Sequence, residues 1–411
     1  MIEKKHDIFE DELKKHSIFK DESKLSMDYV PFYLPHRDEE LRLLSEYFKV
    51  LIETPGSMSQ KVIIHGSHGT GKTAIVKLFG RMIQESAKKR SIKLKFLHLN
   101  CRVKKTEHMI LKNILGAFNK AIPKRGFSSE ELLQMLMEIL EIEGYFLILA
   151  LDNLNNGENK SVNDLLYDLT RFMDDQFNPV LRLSLIIIAK DLKFMNNLEA
   201  GVKSVLQSNF LHFQGYSKAE LYDILKKRCD MAFYENVVSN EALDLIAEST
   251  SRFGDIRYAL DLLWRAAKHA DLKQSSKLLP EHVEQVKSHS QMNENELIAS
   301  LTLYQKILLL TLVRKFQHTE KSSLTIKEVE DGFILICEEY QIKAKKAAEI
   351  WENVQVLINL GLIDAGISSF EVRGKIFFME LSRMSLEFLE KKIMTELDEF
   401  VNTEDLGFVT I

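Results

Sequence analysis

Eight consecutive residues constrain the fold of this chain more than any other feature of its sequence: Gly66-Ser-His-Gly-Thr-Gly-Lys-Thr73. They match the pattern GxxxxGK[ST], in which glycines let backbone N–H groups turn inward around phosphate oxygens at a helix N-terminus. The strand-like run Val62-Ile-Ile-His65 leads into the pattern, and a helical pattern starts at Thr73. The sequence therefore predicts a phosphate-binding loop between a strand and a helix of an α/β fold.

Each part of this loop has a chemical task in binding ATP or ADP with Mg²⁺. The Lys72 ammonium offers a mobile positive charge to the β- and γ-phosphates, and the Thr73 hydroxyl is a ligand for Mg²⁺. Asp152, at the end of another apolar run, supplies the carboxylate that such a site needs near the metal, with a turn-capping Asp as the alternative. The predicted nucleotide contacts of the loop are Gly66, His68, Gly69, Thr70, Gly71, Lys72, Thr73 and Ala74.

The composition of the 411 residues is that of a globular protein, with 45% hydrophobic and 28% charged residues. The net charge of −5 gives no general attraction to nucleic acid, although a local basic surface can still exist. The three cysteines lack CxxC spacing, which argues against a zinc site or a disulfide framework. Because the N-terminus is densely charged and the longest apolar runs are of strand length, we expect a cytoplasmic protein without a membrane segment.

Five apolar runs, mostly separated by helical patterns, predict a five-stranded parallel sheet covered by helices on both faces. The runs are residues 61–65, 94–99, 146–151, 183–189 and 210–213. After Tyr216 the pattern is helical, and Ser217 with Glu220 predicts a capping box at the first of these helices. Further on, three helices (297–316, 326–340, 344–360) and a hairpin (362–365, 375–381) predict a winged helix-turn-helix.

These patterns divide the chain into five predicted parts. They are a charged N-terminal arm (1–27), a nucleotide-binding core (28–216), a helical lid (217–292), a winged-helix domain (293–395) and a C-terminal tail (396–411).

With these motifs placed, the chain resembles the archaeal initiators related to the eukaryotic origin recognition complex and cell-division-cycle-six proteins. The N-terminal part of the resemblance consists of Phe19-Lys-Asp-Glu-Ser23, Tyr29-Val-Pro31 and Leu34-Pro-His-Arg-Asp-Glu39. Further matching segments follow in the family's order, at 165–169, 191–194, 202–204, 216–221 and 254–260. The resemblance implies an α/β fold with an AAA+ core, an all-α lid and a C-terminal winged helix.

The resemblance also implies roles for single residues. The family's N-terminal segment wraps the adenine, so Tyr29, Val30 and Arg37 are candidate base contacts, and Tyr216 is assigned to the same site. Arg257, in the segment Gly254-Asp-Ile-Arg257, matches the family's second sensor on the lid. A guanidinium there can reach the γ-phosphate, and a salt bridge within the lid is the alternative.

At three positions the chain departs from the family in residues that serve ATP hydrolysis. Asn153 replaces the glutamate that follows the metal-site aspartate, Lys190 replaces an asparagine sensor, and Gly201 replaces an arginine finger. An amide orients water but accepts no proton, and a missing base costs about 10²–10⁴-fold in rate. A missing arginine finger costs about 10³–10⁵-fold. We therefore expect a nucleotide holder with weak or no hydrolysis.

By the same resemblance we expect duplex DNA at replication origins as a partner, and with it a nucleoid-associated location. Paralogous initiators and recruitment of the MCM helicase are expected as well. The basic span after the second strand and the winged-helix region carry the candidate phosphate contacts, with solvated surface charge as the alternative. They are Lys104, Lys105, Lys124, Arg125, Lys343, Lys345, Lys346, Arg373 and Lys375.

Residues 294–390 contain 11 Lys and Arg against 15 Asp and Glu, so a winged helix that binds protein remains an equal alternative. Three functions therefore stay open. The first is a DNA-binding initiator that holds its nucleotide, and the second is an active ATPase switch of the same family. The third is an AAA+ interaction subunit that binds no DNA.

Overall fold

The computed structural model describes residues 16–101, 106–118, 126–153, 160–171, 180–192, 194–195, 198–206, 209–317, 324–360, 362–368, 376–381 and 386–405. The chain forms two compact units, Met1–Val286 and Lys287–Ile411.

The first unit contains a parallel sheet of five strands in the order β2-β3-β4-β1-β5. The strands are β1 (Lys61–Gly66), β2 (Leu94–Asn100), β3 (Phe146–Asp152), β4 (Leu183–Ala189) and β5 (Phe210–Phe213). All five predicted strands are confirmed, since parallel strands covered on both faces are continuous apolar runs. Their carboxyl ends share one edge of the sheet, which brings the loop after β1 close to Asp152.

Helices cover both faces of this sheet. On one face α1 (Asp38–Phe48), α2 (Val50–Glu53) and α3 (Lys72–Lys89) pack against Val62, Ile64 and Ile148. On the other face lie α4 (Glu107–Ala117), α5 (Ser129–Ile142), α6 (Lys160–Arg171) and α7 (Ala200–Leu206). Ile63 and Ile64 are both fully buried but belong to opposite clusters, as the alternation of side chains along a strand requires.

The helical region after the sheet begins as predicted. It contains α8 (Lys218–Ala232), α9 (Asn240–Ser251), α10 (Ile256–Leu272) and the start of α11 (Pro280–Ser300). The Ser217–Glu220 capping box at α8 is confirmed. From the predicted charged arm, Ile18, Phe19 and Leu25 are buried in the apolar cluster of these helices. The predicted boundary between residues 292 and 293 lies within α11.

The second unit has helices α12 (Leu303–Gln317), α13 (Ile326–Glu339), α14 (Ala347–Asn359) and α15 (Leu386–Asp405). Strands β6 (Leu324–Thr325), β7 (Ile363–Ser368) and β8 (Ile376–Leu381) form an antiparallel sheet in the order β6-β8-β7. The predicted helices and hairpin are present. Strand β6 and helix α15 were not predicted, and the predicted boundary between residues 395 and 396 lies within α15.

Two predicted helix boundaries in this unit are wrong. Residues 297–316 do not form one helix, because the backbone N–H of Thr302 donates to Gln305 Oε1 (3.0 Å) and so starts α12 anew. The helix predicted from residue 344 begins at Ala347, because Lys346 is extended at φ −71° and ψ 155°. The three lysines 343, 345 and 346 therefore precede α14 instead of forming its first turn.

The composition predicted a chain without a membrane segment and cysteines that form no disulfide framework. No helix in the described part of the chain has both the length and the apolar character needed to cross a membrane. Cys101, Cys229 and Cys337 are buried free thiols, and burial raises the pKa of Cys101 to about 12.

Candidate nucleotide-binding site

The predicted phosphate-binding loop connects β1 to α3 and leaves the start of that helix open. Gly71 is the N-cap of the 18-residue helix α3, in the left-handed conformation at φ 89°. A Cβ on Gly71 would lie 2.6 Å from the Tyr216 hydroxyl oxygen, so only glycine fits. No side chain of the described residues caps α3. Its first N–H groups and its dipole therefore suit an anion such as a phosphate.

Lys72 is folded over this loop. Its ammonium donates hydrogen bonds to the carbonyl oxygens of Gly66 and Ser67, each at 2.6 Å. The residue is 9% exposed, and burial lowers the pKa of Lys72 to about 8, partly offset by the charge of Asp152. A buried ammonium whose nearest partners are neutral carbonyls gains from a nearby phosphate charge.

The predicted metal residues lie in contact with each other. The Thr73 hydroxyl donates to Asp152 Oδ2 at 2.7 Å, and the Asn153 N–H donates to Asp152 Oδ1 at 2.7 Å. His98 of β2 lies 2.8 Å from Asp152 Oδ2 through its Nε2. Burial opposes ionisation of Asp152, but the hydrogen bonds from His98 and Thr73 outweigh it, so the pKa of Asp152 lies below its usual value.

Arg37 and Tyr216 form the support on the other side of the loop. Arg37 is 5% exposed, and its guanidinium donates to the carbonyls of Thr70 (3.1 Å) and Gln214 (2.9 Å) and to Glu40 Oε1 (3.1 Å). It also lies 4.0 Å from the centroid of the Tyr216 ring. These contacts direct the Arg37 side chain to protein groups beneath the loop.

The lid contacts the loop directly at Gly69. The Gly69 carbonyl accepts the N–H of Ile256 at 3.2 Å, and a Cβ on Gly69 would lie 1.7 Å from Asp255 Oδ1. Asp255 caps α10, and its Oδ2 forms an ion pair with Arg257 Nη2 at 2.8 Å. The alternative role predicted for Arg257, a salt bridge within the lid, is therefore present. Partial desolvation, and then the positive charges of Arg257, Lys190 and Lys72, lower the pKa of His68 in the loop.

The predicted base contacts Tyr29 and Val30 belong to a segment that we name the strap (residues 24–32). Arg228 of α8 donates to the carbonyls of Lys24 (2.8 Å) and Tyr29 (3.0 Å). Arg81 of α3 donates to the carbonyls of Val30 (3.0 Å) and Pro31 (3.1 Å). The strap is thus tied to the lid at one end and to the helix after the phosphate-binding loop at the other.

The three substituted hydrolytic positions lie at separate places. Asn153 follows Asp152 directly and has a left-handed backbone at φ 58°. Lys190 follows β4, and its carbonyl accepts the Gly66 N–H at 3.0 Å, so it adjoins the loop. Gly201 lies in α7, where its carbonyl accepts the Ser204 hydroxyl at 2.8 Å.

Most of the predicted DNA contacts lie outside the described residues. These are Lys104, Lys105, Lys124, Arg125, Arg373 and Lys375. Of the others, Lys345 pairs with Glu349 at 2.7 Å and lies 4.9 Å from the Tyr304 ring centroid. Lys343 and Lys346 are exposed. Helix α14 itself contains two Glu and no Lys or Arg, so the basic groups of this region flank the helix.

Four residues at the site were missed by the sequence analysis: His98, Asp255, Arg81 and Arg228. Asp255 had a usable signal, since an Asp immediately before a helical pattern is a preferred N-cap. His98 and the two arginines are neighbours only in three dimensions, and nothing in their local sequence marks them.

Sequence profiles of known families match three parts of the chain. The Cdc6 AAA+ ATPase-type lid domain matches residues 222–288, and the CDC6 C-terminal winged helix domain matches residues 296–391. The profile of the bacterial TniB protein matches residues 36–187. The predicted helical lid and winged helix are thereby confirmed.

Whole-chain comparisons agree with these profiles. The chain is 32% identical to the ORC1-type DNA replication protein 2 of Saccharolobus solfataricus, over 95% of this chain and 97% of that relative. It is 31% identical to the ORC1-type DNA replication protein 1 of Sulfurisphaera tokodaii, over 85% and 86% of the two chains. The solved structure of the Aeropyrum pernix ORC1 protein in complex with DNA is similar at a TM-score of 0.64 and 26% identity, covering 95% of this chain and all of that one.

Proposed function

Because this chain belongs to the family of ORC1-type DNA replication proteins, we propose that it is an initiator-like protein that holds ATP or ADP with Mg²⁺ and binds duplex DNA at origins. The observation that carries the nucleotide part is that Lys72 and the hydrogen-bonded pair of Thr73 and Asp152 lie at the uncapped N-terminus of α3. Recruitment of the MCM helicase and association with paralogous initiators remain predictions from the family.

The residues of the loop fit a magnesium nucleotide. The glycine cradle excludes side chains, the α3 N-terminus attracts anions, and the buried Lys72 ammonium gains from a phosphate charge. The Thr73 hydroxyl donates a hydrogen bond to Asp152, which leaves its lone pairs available to a cation. A Mg²⁺ ion there would neutralise charge on the phosphates. Tyr29, Val30 and Tyr216 would surround the base, with Arg37 supporting the loop beneath it, and Arg257 would approach the γ-phosphate from the lid.

The residues beside the phosphate-binding loop support a protein that retains ATP without hydrolysing it efficiently. Asn153 provides an amide where a general base is needed, and Gly201 provides no cation in trans. Lys190 adjoins the loop as a point charge, which favours phosphate binding over orientation of water. The active-switch alternative requires Asn153, Lys190 or Lys203, a lysine two residues after Gly201 in α7, to replace the missing groups.

Duplex DNA is the partner supported by the 26%-identical relative whose solved structure is a complex with DNA. In this chain, Lys343 and Lys346 are exposed beside α14 and are suited to phosphates. The face of α14 itself supports the alternative of a protein-binding winged helix. Its exposed residues include Glu352, Val356 and Asn359 and no basic group.

The test of nucleotide binding is the substitution Lys72→Ala, with Lys77→Ala on the same helix as the matched control. Calorimetry with ADP and ATP should give binding for the parent and Lys77→Ala and none for Lys72→Ala, because only Lys72 lies in the phosphate cradle. All three proteins should remain folded and unfold in one cooperative thermal transition. Equal affinity in Lys72→Ala and the parent would refute the assignment.

A further inference from the structure

The carboxylate of Asp152 is held by three hydrogen bonds, and one of them comes from a histidine on another strand. Oδ2 accepts the Thr73 hydroxyl at 2.7 Å and lies 2.8 Å from His98 Nε2, while Oδ1 accepts the Asn153 N–H at 2.7 Å. An ionised carboxylate accepts hydrogen bonds only, so His98 Nε2–H is the donor.

The register of β2 and β3 explains how His98 reaches this position. Asn100 pairs with Asp152 and His98 pairs with Ala150, so His98 and Asp152 lie diagonally on one face of the sheet. Diagonal neighbours are within reach of long side chains. The His98 side chain is 17% exposed and that of Asp152 is 5% exposed, so little water competes for their hydrogen bond.

We propose that His98 is a positioning residue, which fixes the Asp152 carboxylate in the orientation that binds the Mg²⁺ of the nucleotide complex. This inference rests on the proposed nucleotide-binding function. His98 occupies one lone-pair direction of Oδ2, so the carboxylate cannot rotate away from Thr73. The Thr73 hydroxyl donates a hydrogen bond to the same oxygen, and a lone pair of that hydroxyl would remain available to a cation. Removing such an outer partner of a metal ligand costs about 10–100-fold in metal affinity.

The role needs no proton transfer, and it fits a protein that retains its nucleotide. Asn153 cannot replace His98, because only its backbone N–H contacts Asp152, and it does so at the other oxygen. The two hydrogen bonds thus fix different oxygens of one carboxylate.

The test compares two amide substitutions of His98 in the full chain. The Gln side chain reaches about as far as His Nε2 and can donate to Asp152, whereas the Asn side chain is too short. Calorimetry of ADP and ATP binding, with Mg²⁺ and with a chelator, gives the increase in affinity that Mg²⁺ confers. We expect that increase to fall about 10–100-fold in His98→Asn and to persist in His98→Gln, with affinity in the chelator unchanged for both.

A double substitution separates positioning from simple loss of packing. Once Asp152→Asn has removed the carboxylate, His98→Asn should cause no further loss of the Mg²⁺ effect. Should His98→Asn fail to fold, His98→Ser carries the same prediction, because its hydroxyl also falls short of Asp152.

The inference is overturned if the Mg²⁺ effect in His98→Asn equals that of the parent. It is also overturned if His98→Asn weakens binding equally with Mg²⁺ and with chelator, which is the signature of a structural role. In both cases nucleotide binding that depends on Lys72 would still stand. If the parent shows no such binding, the proposed function fails and the role of His98 fails with it.

Discussion

Among the single residues of the site, some could be predicted from the sequence and others could not. Asp152 and Asn153 could be predicted because they end an apolar strand downstream of a phosphate-binding loop. His98 could not, because its contact with Asp152 depends on the register of two strands that 45 residues of chain separate. Arg37 was predicted from family resemblance as a base contact, and the structure directs its guanidinium to the carbonyls of Thr70 and Gln214.

The depressed pKa of Lys72 predicts that nucleotide affinity depends on pH. Burial lowers this pKa to about 8, and a bound phosphate favours the charged form, so the pKa rises on binding. Below about pH 8 Lys72 is already charged and affinity stays level. Above it, binding takes up a proton, and affinity falls by up to about tenfold per pH unit.

Calorimetry between pH 7 and pH 10, in buffers with different ionisation enthalpies, measures this proton uptake. Lys72→Arg is the matched control, because a guanidinium stays charged throughout this range. If affinity in the parent does not change up to pH 10, Lys72 does not carry the phosphate interaction.

At the scale of elements, the strap is the feature that links the lid to the helix of the phosphate-binding loop. Arg228 is 8% exposed and donates to two strap carbonyls, those of Lys24 and Tyr29. Sequence analysis placed Tyr29 and Val30 near the nucleotide through family resemblance. It could not identify the arginines, because each is an ordinary basic residue in an amphipathic helix until the strap is packed against it.

Substituting Arg228 should therefore weaken the lid. Arg228→Met leaves two half-buried carbonyls without their donor, at a cost of about 1–3 kcal/mol in unfolding free energy. Trp264 of α10 reports on the same region, because its indole N–H donates to Glu22 of the N-terminal segment at 2.6 Å. In a Trp351→Phe background Trp264 is the only tryptophan, and urea unfolding can be followed by its fluorescence.

The matched control is Arg265→Met on the same lid. Arg265 is 53% exposed and pairs with Asp261, and such surface pairs contribute about 0–1 kcal/mol. An equal effect of the two substitutions would show that Arg228 does not hold the strap.

Most of the architecture of the molecule could be predicted from the sequence. The parallel sheet follows from five apolar runs, and the lid from a helical pattern opened by a Ser–Glu capping box. The errors lie where local patterns conflict or are too short. The apolar periodicity continues through residues 301–302, although the helix is interrupted there. The two-residue strand β6 is too short to show a periodicity. Binding of DNA is the property of the whole molecule that the fold alone does not decide.

Charge reversal tests that property. Reversing Lys124 and Arg125, or Arg373 and Lys375, to Glu should weaken duplex binding and reduce its salt dependence, by about one unit of log–log slope for each DNA phosphate that is no longer neutralised. Lys88 and Lys89, which are exposed at the end of α3, give a control with the same change in net charge. If the unmodified protein binds no duplex at low salt, the protein-interaction alternative replaces the DNA-binding one.

We propose that the protein holds ATP without hydrolysing it efficiently, and single-turnover hydrolysis tests this proposal. Labelled ATP is mixed with excess protein, and ADP formation is followed in the parent, Lys72→Ala and Asn153→Glu. Asn153→Glu supplies a base, although its left-handed backbone at φ 58° disfavours a residue other than Asn or Gly. We predict that ATP bound to the parent stays intact, with a small gain in turnover for Asn153→Glu. Rapid conversion of ATP to ADP in the parent that Lys72→Ala abolishes would show that the protein is an active ATPase.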